Sequence, residues 1–205
     1  IQVDDVDATL DTLKRKYPDV HVLKRPSNRP FAGLTTHDPD GNIFDLSQIR
    51  MANRSEIYKA TSDQGGWSQE CYVTHYGLRT LNPEKIAEYY VDVFGLALGN
   101  KAAGDPNYYV TDGRMTITLM KWDIMDYEGF GIVGAGPHHI GIRVESVDAF
   151  KAHVDKVAGA NPWLAPKEIS MGPEGERSRQ MFADTVPYAT HQLADNNCVL
   201  LAIHE

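Results

Sequence analysis

His75-Tyr76-Gly77-Leu78-Arg79 returns later in the chain as His139-Ile140-Gly141-Ile142-Arg143. Each pentapeptide sits in a short alternating segment, from Tyr72 to Thr80 and from His138 to Val144, of the kind that forms a half-buried strand. Each segment runs into a helix signal. Asn82-Pro83-Glu84 opens one helix and Ser146-Val147-Asp148 the other, each with a capping side chain followed by an acid in the first turn. Apolar residues then recur at helical spacing: Ile86, Tyr89, Tyr90 and Val93 in the first helix, Val147, Phe150, Val154 and Val157 in the second.

The start of the chain matches the same unit a third time. Ile1-Gln2-Val3-Asp4-Asp5-Val6-Asp7-Ala8 aligns without gaps on Ile142 to Ala149, with five of the eight positions identical. Val6, Leu10 and Leu13 supply the helical stripe there, and Ile1 to Val3 reads as the tail of a strand whose beginning is absent. Shorter strand signals close each unit. Asn107 to Val110 and Met115 to Trp122 follow the first helix, while Ser178 to Phe182 and Cys198 to Ile203 follow the second. Asp38-Pro39-Asp40-Gly41-Asn42 is a strong turn before Ile43-Phe44-Asp45-Leu46. Asp112-Gly113-Arg114 and Asp195-Asn196-Asn197 are weaker relatives of it. The expected fold is therefore α+β, built of tandem βαβββ units. A truncated unit spans 1–48, a linker 49–70, and whole units 72–134 and 135–205. Gly65-Gly66-Trp67 in the linker is an alternative lid.

The 205 residues are 42% apolar and 23% charged, an ordinary globular composition. Twenty basic against twenty-eight acidic side chains give a net charge of −8, which argues against a nucleic-acid footprint or an anionic membrane surface as partner. Small molecules are the expected partners, with a homo-oligomer possible. Two cysteines make no disulfide framework and no apolar run is long enough to span a membrane, so the expected location is the cytoplasm.

Taken in order, the two His-x-Gly-apolar-Arg strands, the segment Tyr89-Tyr90-Val91-Asp92-Val93-Phe94-Gly95-Leu96 and the Asp38 to Asn42 turn resemble the vicinal oxygen chelate superfamily. That group holds glyoxalase I, extradiol dioxygenases, methylmalonyl-CoA epimerase and the bleomycin resistance proteins. The resemblance implies that paired units curl their sheets into a cup around a divalent metal. A histidine on the first strand and a carboxylate on the last strand of a unit would bind it, and the metal would chelate two neighbouring substrate oxygens. His75 and His139 occupy the two first-strand positions. Iron is the first expectation, with manganese, zinc or nickel as alternatives, since two histidines and one carboxylate form the facial triad of non-haem iron enzymes. The competing reading of His75 and His139 is a pair of half-buried, hydrogen-bonded histidines and no metal at all.

The carboxylate is where the sequence departs from that pattern. Aligning the closing strands on the Asp40-Gly41 turn sets Leu200 opposite Asp45 in the third unit. In the second unit it sets Ile117 there, or Thr118 after a one-residue slip. None is a metal ligand. Asp45 has the right chemistry but belongs to the first unit, whose histidine would precede Ile1, so it pairs with residues outside this sequence or simply packs beside its turn. His204 could turn inward or lie solvated at the chain end, and His138 is expected to face away from the cup by strand parity. Arg79, Arg143 and Tyr188 are candidate substrate contacts, with His191 beside them, the arginines sharing the parity of their histidines. An extradiol-type ring-cleaving dioxygenase is the first expectation. A glyoxalase-type lyase or isomerase is the second, and a metal-free binding cup of the resistance type the third.

Overall fold

Three capped helices set the frame of the computed structural model. α1 (Val6–Lys16) begins at Asp5, whose carboxylate accepts from the Ala8 amide at 3.0 Å. α2 (Pro83–Phe94) begins at Asn82, which accepts from the Lys85 amide at 3.2 Å, and α3 (Val147–Ala160) at Ser146, which accepts from Ala149 at 3.2 Å. In each case a side-chain oxygen takes an amide that the first turn leaves without a partner. α2 stops at Gly95 with φ of 66°, a left-handed position that glycine adopts without strain. The structure describes residues 1–24, 33–48, 70–122, 135–162, 167–168, 191–194 and 200–205. The expected strand from Ser178 to Phe182, the Asp195 turn, the Gly65 lid and Tyr188 lie outside these.

Each helix follows one strand and precedes three. β1 (Gln2–Val3) leads through α1 to β2 (Leu23–Lys24), β3 (Leu34–His37) and β4 (Ile43–Gln48). β5 (Cys71–Thr80) leads through α2 to β6 (Ala97–Leu98), β7 (Tyr108–Thr111) and β8 (Thr116–Lys121). β9 (Gly136–Val144) leads through α3 to β10 (Lys167–Glu168), β11 (His191–Ala194) and β12 (Leu200–His204). The first set forms a four-stranded sheet ordered β1-β4-β3-β2, with β1 parallel to β4. The other two repeat that order and join across their first strands into one sheet, β10-β11-β12-β9-β5-β8-β7-β6. The join is antiparallel, so the two halves are related by a local twofold between β5 and β9.

The core lies between the two sheets. Leu13 of α1, Ile86, Tyr89, Tyr90 and Val93 of α2, and Leu78, Val110, Ile117 and Leu119 of the larger sheet form one buried cluster. Phe44 of β4 reaches it edge-on to Phe94, with ring centres 5.7 Å apart. Two tyrosine hydroxyls cross this layer: Tyr89 donates to the His37 carbonyl at 3.1 Å and Tyr90 to the Asp38 carboxylate at 3.2 Å. Outside it, Asp92 accepts from both Tyr17 and Lys16, and burial together with Asp92 pushes the Tyr17 phenol up to about 12. The α3 stripe is less well covered, for only Val147 is buried and Val157 is exposed.

Asp38 shows what the turn motif is for. It is fully buried, and its carboxylate accepts from the amides of Asp40 and Asn42, the Asn42 side chain and Tyr90. The turn is thereby tied to α2, and Thr80 at the end of β5 donates to Asp40 of the same turn. Asp38→Ala would leave those donors buried without an acceptor, so it is expected to lower unfolding free energy by about 3 kcal/mol. Urea denaturation with an unchanged m-value checks this, and a loss below about 1 kcal/mol would contradict it.

Candidate functional site

The strand pair at the centre of the larger sheet brings the two pentapeptides face to face. His75 lies opposite Gly141 and His139 opposite Gly77, while Tyr76 lies opposite Ile140. In a strand, residues two apart share a face, so each glycine lies on the same face as its own histidine and beneath the imidazole of the other strand. A Cβ on Gly77 would overlap Cε1 and Nδ1 of His139, and one on Gly141 would overlap the same atoms of His75. The His-x-Gly spacing is thus a reciprocal fit. Both rings lean inward over bare backbone and their Nε2 atoms meet at 3.0 Å.

Two register shifts flank this meeting point, one between Val73 and His75 and one between Gly77 and Leu78. The extra residues are Thr74 on β5 and His138 on β9, which the repeat places at equivalent positions. A bulge re-aims the side chain of its extra residue. This corrects the expectation for His138: simple strand parity turned it away, but the bulge brings its Nδ1 to 2.7 Å from Nδ1 of His139. Thr74 does the same for the other half, its hydroxyl lying 3.0 Å from Nδ1 of His75 and 2.8 Å from Nε2 of His204. His204 is therefore turned inward, 9% exposed.

The result is one continuous polar chain, His138, His139, His75, Thr74, His204. An imidazole or a hydroxyl both donates and accepts, so four neutral rings satisfy every link with the hydrogens pointing one way or the other. Burial favours that neutral form. Desolvation, with His204 adding to it, lowers the pKa of His75 to about 4; desolvation and Arg79 lower His138 to about 4. Desolvation, His138, His75 and Arg79 lower His139 to about 3, and desolvation lowers His204.

The remaining candidates separate. Arg79 is half-buried near His138 and His139, whereas Arg143 is exposed and donates to the Tyr72 hydroxyl at 3.4 Å. His191 is placed in β11 only by its backbone. Strand register also corrects the alignment of closing strands. Gly141 pairs with Ala202 and Gly77 with Thr118, while Gln2, the counterpart of Arg143, pairs with Ser47 as Arg143 pairs with His204. Asp45 is thus equivalent to Ala202, not Leu200, and in the second unit to Thr118, the slipped register. The turn alignment is two residues out in the third unit and one in the second. Asp45 itself stays in the smaller sheet, accepting from the Thr35 hydroxyl at 3.0 Å. Among the described residues no set of three His, Cys, Asp or Glu side chains is arranged to hold a metal. Of those residues, no helix is long and apolar enough to cross a membrane.

Two ring nitrogens that approach one point with their other nitrogens tied are nevertheless a recognisable donor pair. Ligands about 2.1 Å from a metal and at right angles lie about 3.0 Å apart, the separation found between the two Nε2 atoms. Sequence reasoning found this pair and missed Thr74. The available signal was the repeat itself, which sets Thr74 on His138.

No protein family and no curated protein matches the chain. Solved structures do. A catechol 2,3-dioxygenase is 14% identical with a TM-score of 0.59, covering 98% of this chain and 65% of that one. The Mn(II)-bound glyoxalase from Novosphingobium aromaticivorans is 13% identical with a TM-score of 0.57, covering 98% and 60%. A halotolerant catechol dioxygenase is 11% identical with a TM-score of 0.54, covering 98% and 64%. The chain spans less than two thirds of the length of each. It shares the fold of these glyoxalase and dioxygenase structures, βαβββ units with curled sheets.

Two outcomes follow from the site. Gly77→Ala is expected to cost about 2 kcal/mol, because the His139 ring is bonded at both nitrogens and has no room to step aside; a neutral result in urea denaturation would contradict it. The second outcome concerns acid. An unfolded histidine takes up its proton near 6.5, whereas these rings resist protonation until about 4 or 3. Their contribution to stability is therefore present above pH 6.5 and lost as pH falls from there toward 3. The urea midpoint should drop over that window, and the drop should be shallower in a His75→Asn, His139→Asn double variant. Equal slopes in the two proteins would sink the assignment.

Proposed function

We propose that this chain carries the metal-binding cup of an oxygen-chelating enzyme, with a ring-cleaving dioxygenase of the extradiol type as the first candidate. The observation that carries it is the convergence of the His75 and His139 Nε2 atoms at 3.0 Å on a shared point of the cup. Neutral imidazoles suit a divalent iron, manganese, zinc or nickel ion, and the low pKa values keep both rings able to donate a lone pair well below neutral pH. A bound ion of this kind supplies Lewis-acid polarisation of two neighbouring oxygens on a small substrate. His75 and His139 would be its two protein nitrogens. The half-buried Arg79 places a fixed positive charge beside His138 and His139, suited to an anionic substrate oxygen.

The likeness to catechol dioxygenases and to a manganese glyoxalase supports the reading through the fold they share. A glyoxalase-type lyase or isomerase would use the same pair of histidines. A second reading, a metal-free cup that binds a small molecule, is favoured by one observation: Thr118 and Ala202 stand where a carboxylate would complete the triad.

Titration of the purified protein with Fe(II) under anaerobic conditions, followed by oxygen-uptake measurement with catechol, separates these. The expected result is one ion per chain, oxygen consumed in proportion to catechol, and both lost in a His75→Ala, His139→Ala variant. Metal retained by that double variant, or no metal bound by a folded protein, would overturn the enzyme reading.

A further inference from the structure

We infer that Thr74 and His138 are a matched pair of positioning residues, each able to accept an Nδ1 hydrogen from His75 or His139 and so to support the tautomer that leaves both Nε2 atoms free for a metal. The inference rests on the metal reading above and deepens it. Its basis is the symmetry of the two bulges. Each inserts one extra residue immediately before a pentapeptide histidine, and in each the extra side chain reaches Nδ1 of that histidine rather than Nε2. A single bulge could be a local accident of twist. Two at equivalent positions, each delivering a polar atom to the same ring nitrogen, share a chemical purpose.

The residue types differ, Thr in one half and His in the other. What the halves share is an acceptor: a hydroxyl oxygen 3.0 Å from Nδ1 of His75 and an imidazole nitrogen 2.7 Å from Nδ1 of His139. The hydrogen arithmetic then has one outcome. Without a metal, the contact between the two Nε2 atoms carries one hydrogen, and the whole chain points one way. With a metal, neither Nε2 carries hydrogen, so both rings must hold theirs on Nδ1. His139 then donates to Nδ1 of His138. His75 donates to Thr74, whose own hydrogen passes to Nε2 of His204. Every link is still satisfied, but the chain now points outward from the centre in both directions. Thr74 permits the switch because its hydroxyl rotates. His204 belongs to the device as the final acceptor, at 2.8 Å.

A ring whose Nδ1–H is accepted is fixed in orientation and made a stronger donor, and losing such a partner commonly weakens a metal about 10- to 100-fold. Co(II) is the probe, with affinity read by calorimetry and the ligand set by its visible absorption. Thr74→Val, which keeps the shape of the side chain and removes the hydroxyl, is expected to weaken Co(II) at least 10-fold and to alter the absorption bands, and Thr74→Ser to restore both. His138→Phe should weaken binding similarly, while His138→Asn, whose amide oxygen can stand near the position of Nδ1, should recover most of it. Thermal unfolding of each metal-free variant establishes that it is folded. Unchanged affinity and spectrum in folded Thr74→Val and His138→Phe would overturn the positioning role, as would failure of Ser and Asn to rescue. If the unaltered chain binds no Co(II), or binds it equally without His75 and His139, the metal reading itself fails and this inference with it.

Discussion

An imidazole can lie flat across a neighbouring strand only where that strand has no side chain, and the centre of this molecule is built on that steric fact twice over. His75 rests on Gly141 and His139 on Gly77. Because the strands run antiparallel, a histidine and a glycine two residues apart in one strand meet the same two residues, reversed, in the other. The reciprocal fit fixes the register of β5 on β9, and with it the union of two four-stranded halves into one sheet. A slip of one residue in either strand would turn that strand's histidine to the helix face.

The rest of the architecture supports that pair from behind. The opposite face of β5 carries Leu78 into the layer shared with α1 and α2, where Tyr89 and Tyr90 close the core and hydrogen-bond to His37 and Asp38 of the first unit. Among the described residues, the smaller sheet therefore meets the larger one through this helix layer. Asp45 stays within that smaller sheet, where its carboxylate accepts from the Thr35 hydroxyl.

Much of this could be read before any coordinates. The repeats fixed the strand and helix order, because caps, turns and apolar stripes are local signals, and Asn82, Ser146 and the Asp38 turn behave as their chemistry requires. The convergence of His75 and His139 was legible from their equivalent positions. Two kinds of information were not. A bulge adds one residue to a strand without leaving a signature in composition, so the parity rule sent His138 the wrong way and gave Thr74 no role. The closing strands were aligned on a glycine absent from the third unit, where Asp195-Asn196-Asn197 replaces it, and only the pairing of Gly141 with Ala202 shows the true match. The inward turn of His204 follows from that pairing too, since Arg143 and His204 stand side by side and Thr74 bulges toward them.

The two ring nitrogens meet at a single point in space. Anomalous diffraction from crystals soaked in Fe(II) or Zn(II), recorded at the edge of the soaked metal, addresses that point directly. The expected map holds one peak per chain about 2.1 Å from Nε2 of both His75 and His139, with Thr74 and His138 still beside the two Nδ1 atoms. A peak bound through Nδ1, a peak touching only one of the two histidines, or an empty position between them at saturating metal would contradict it.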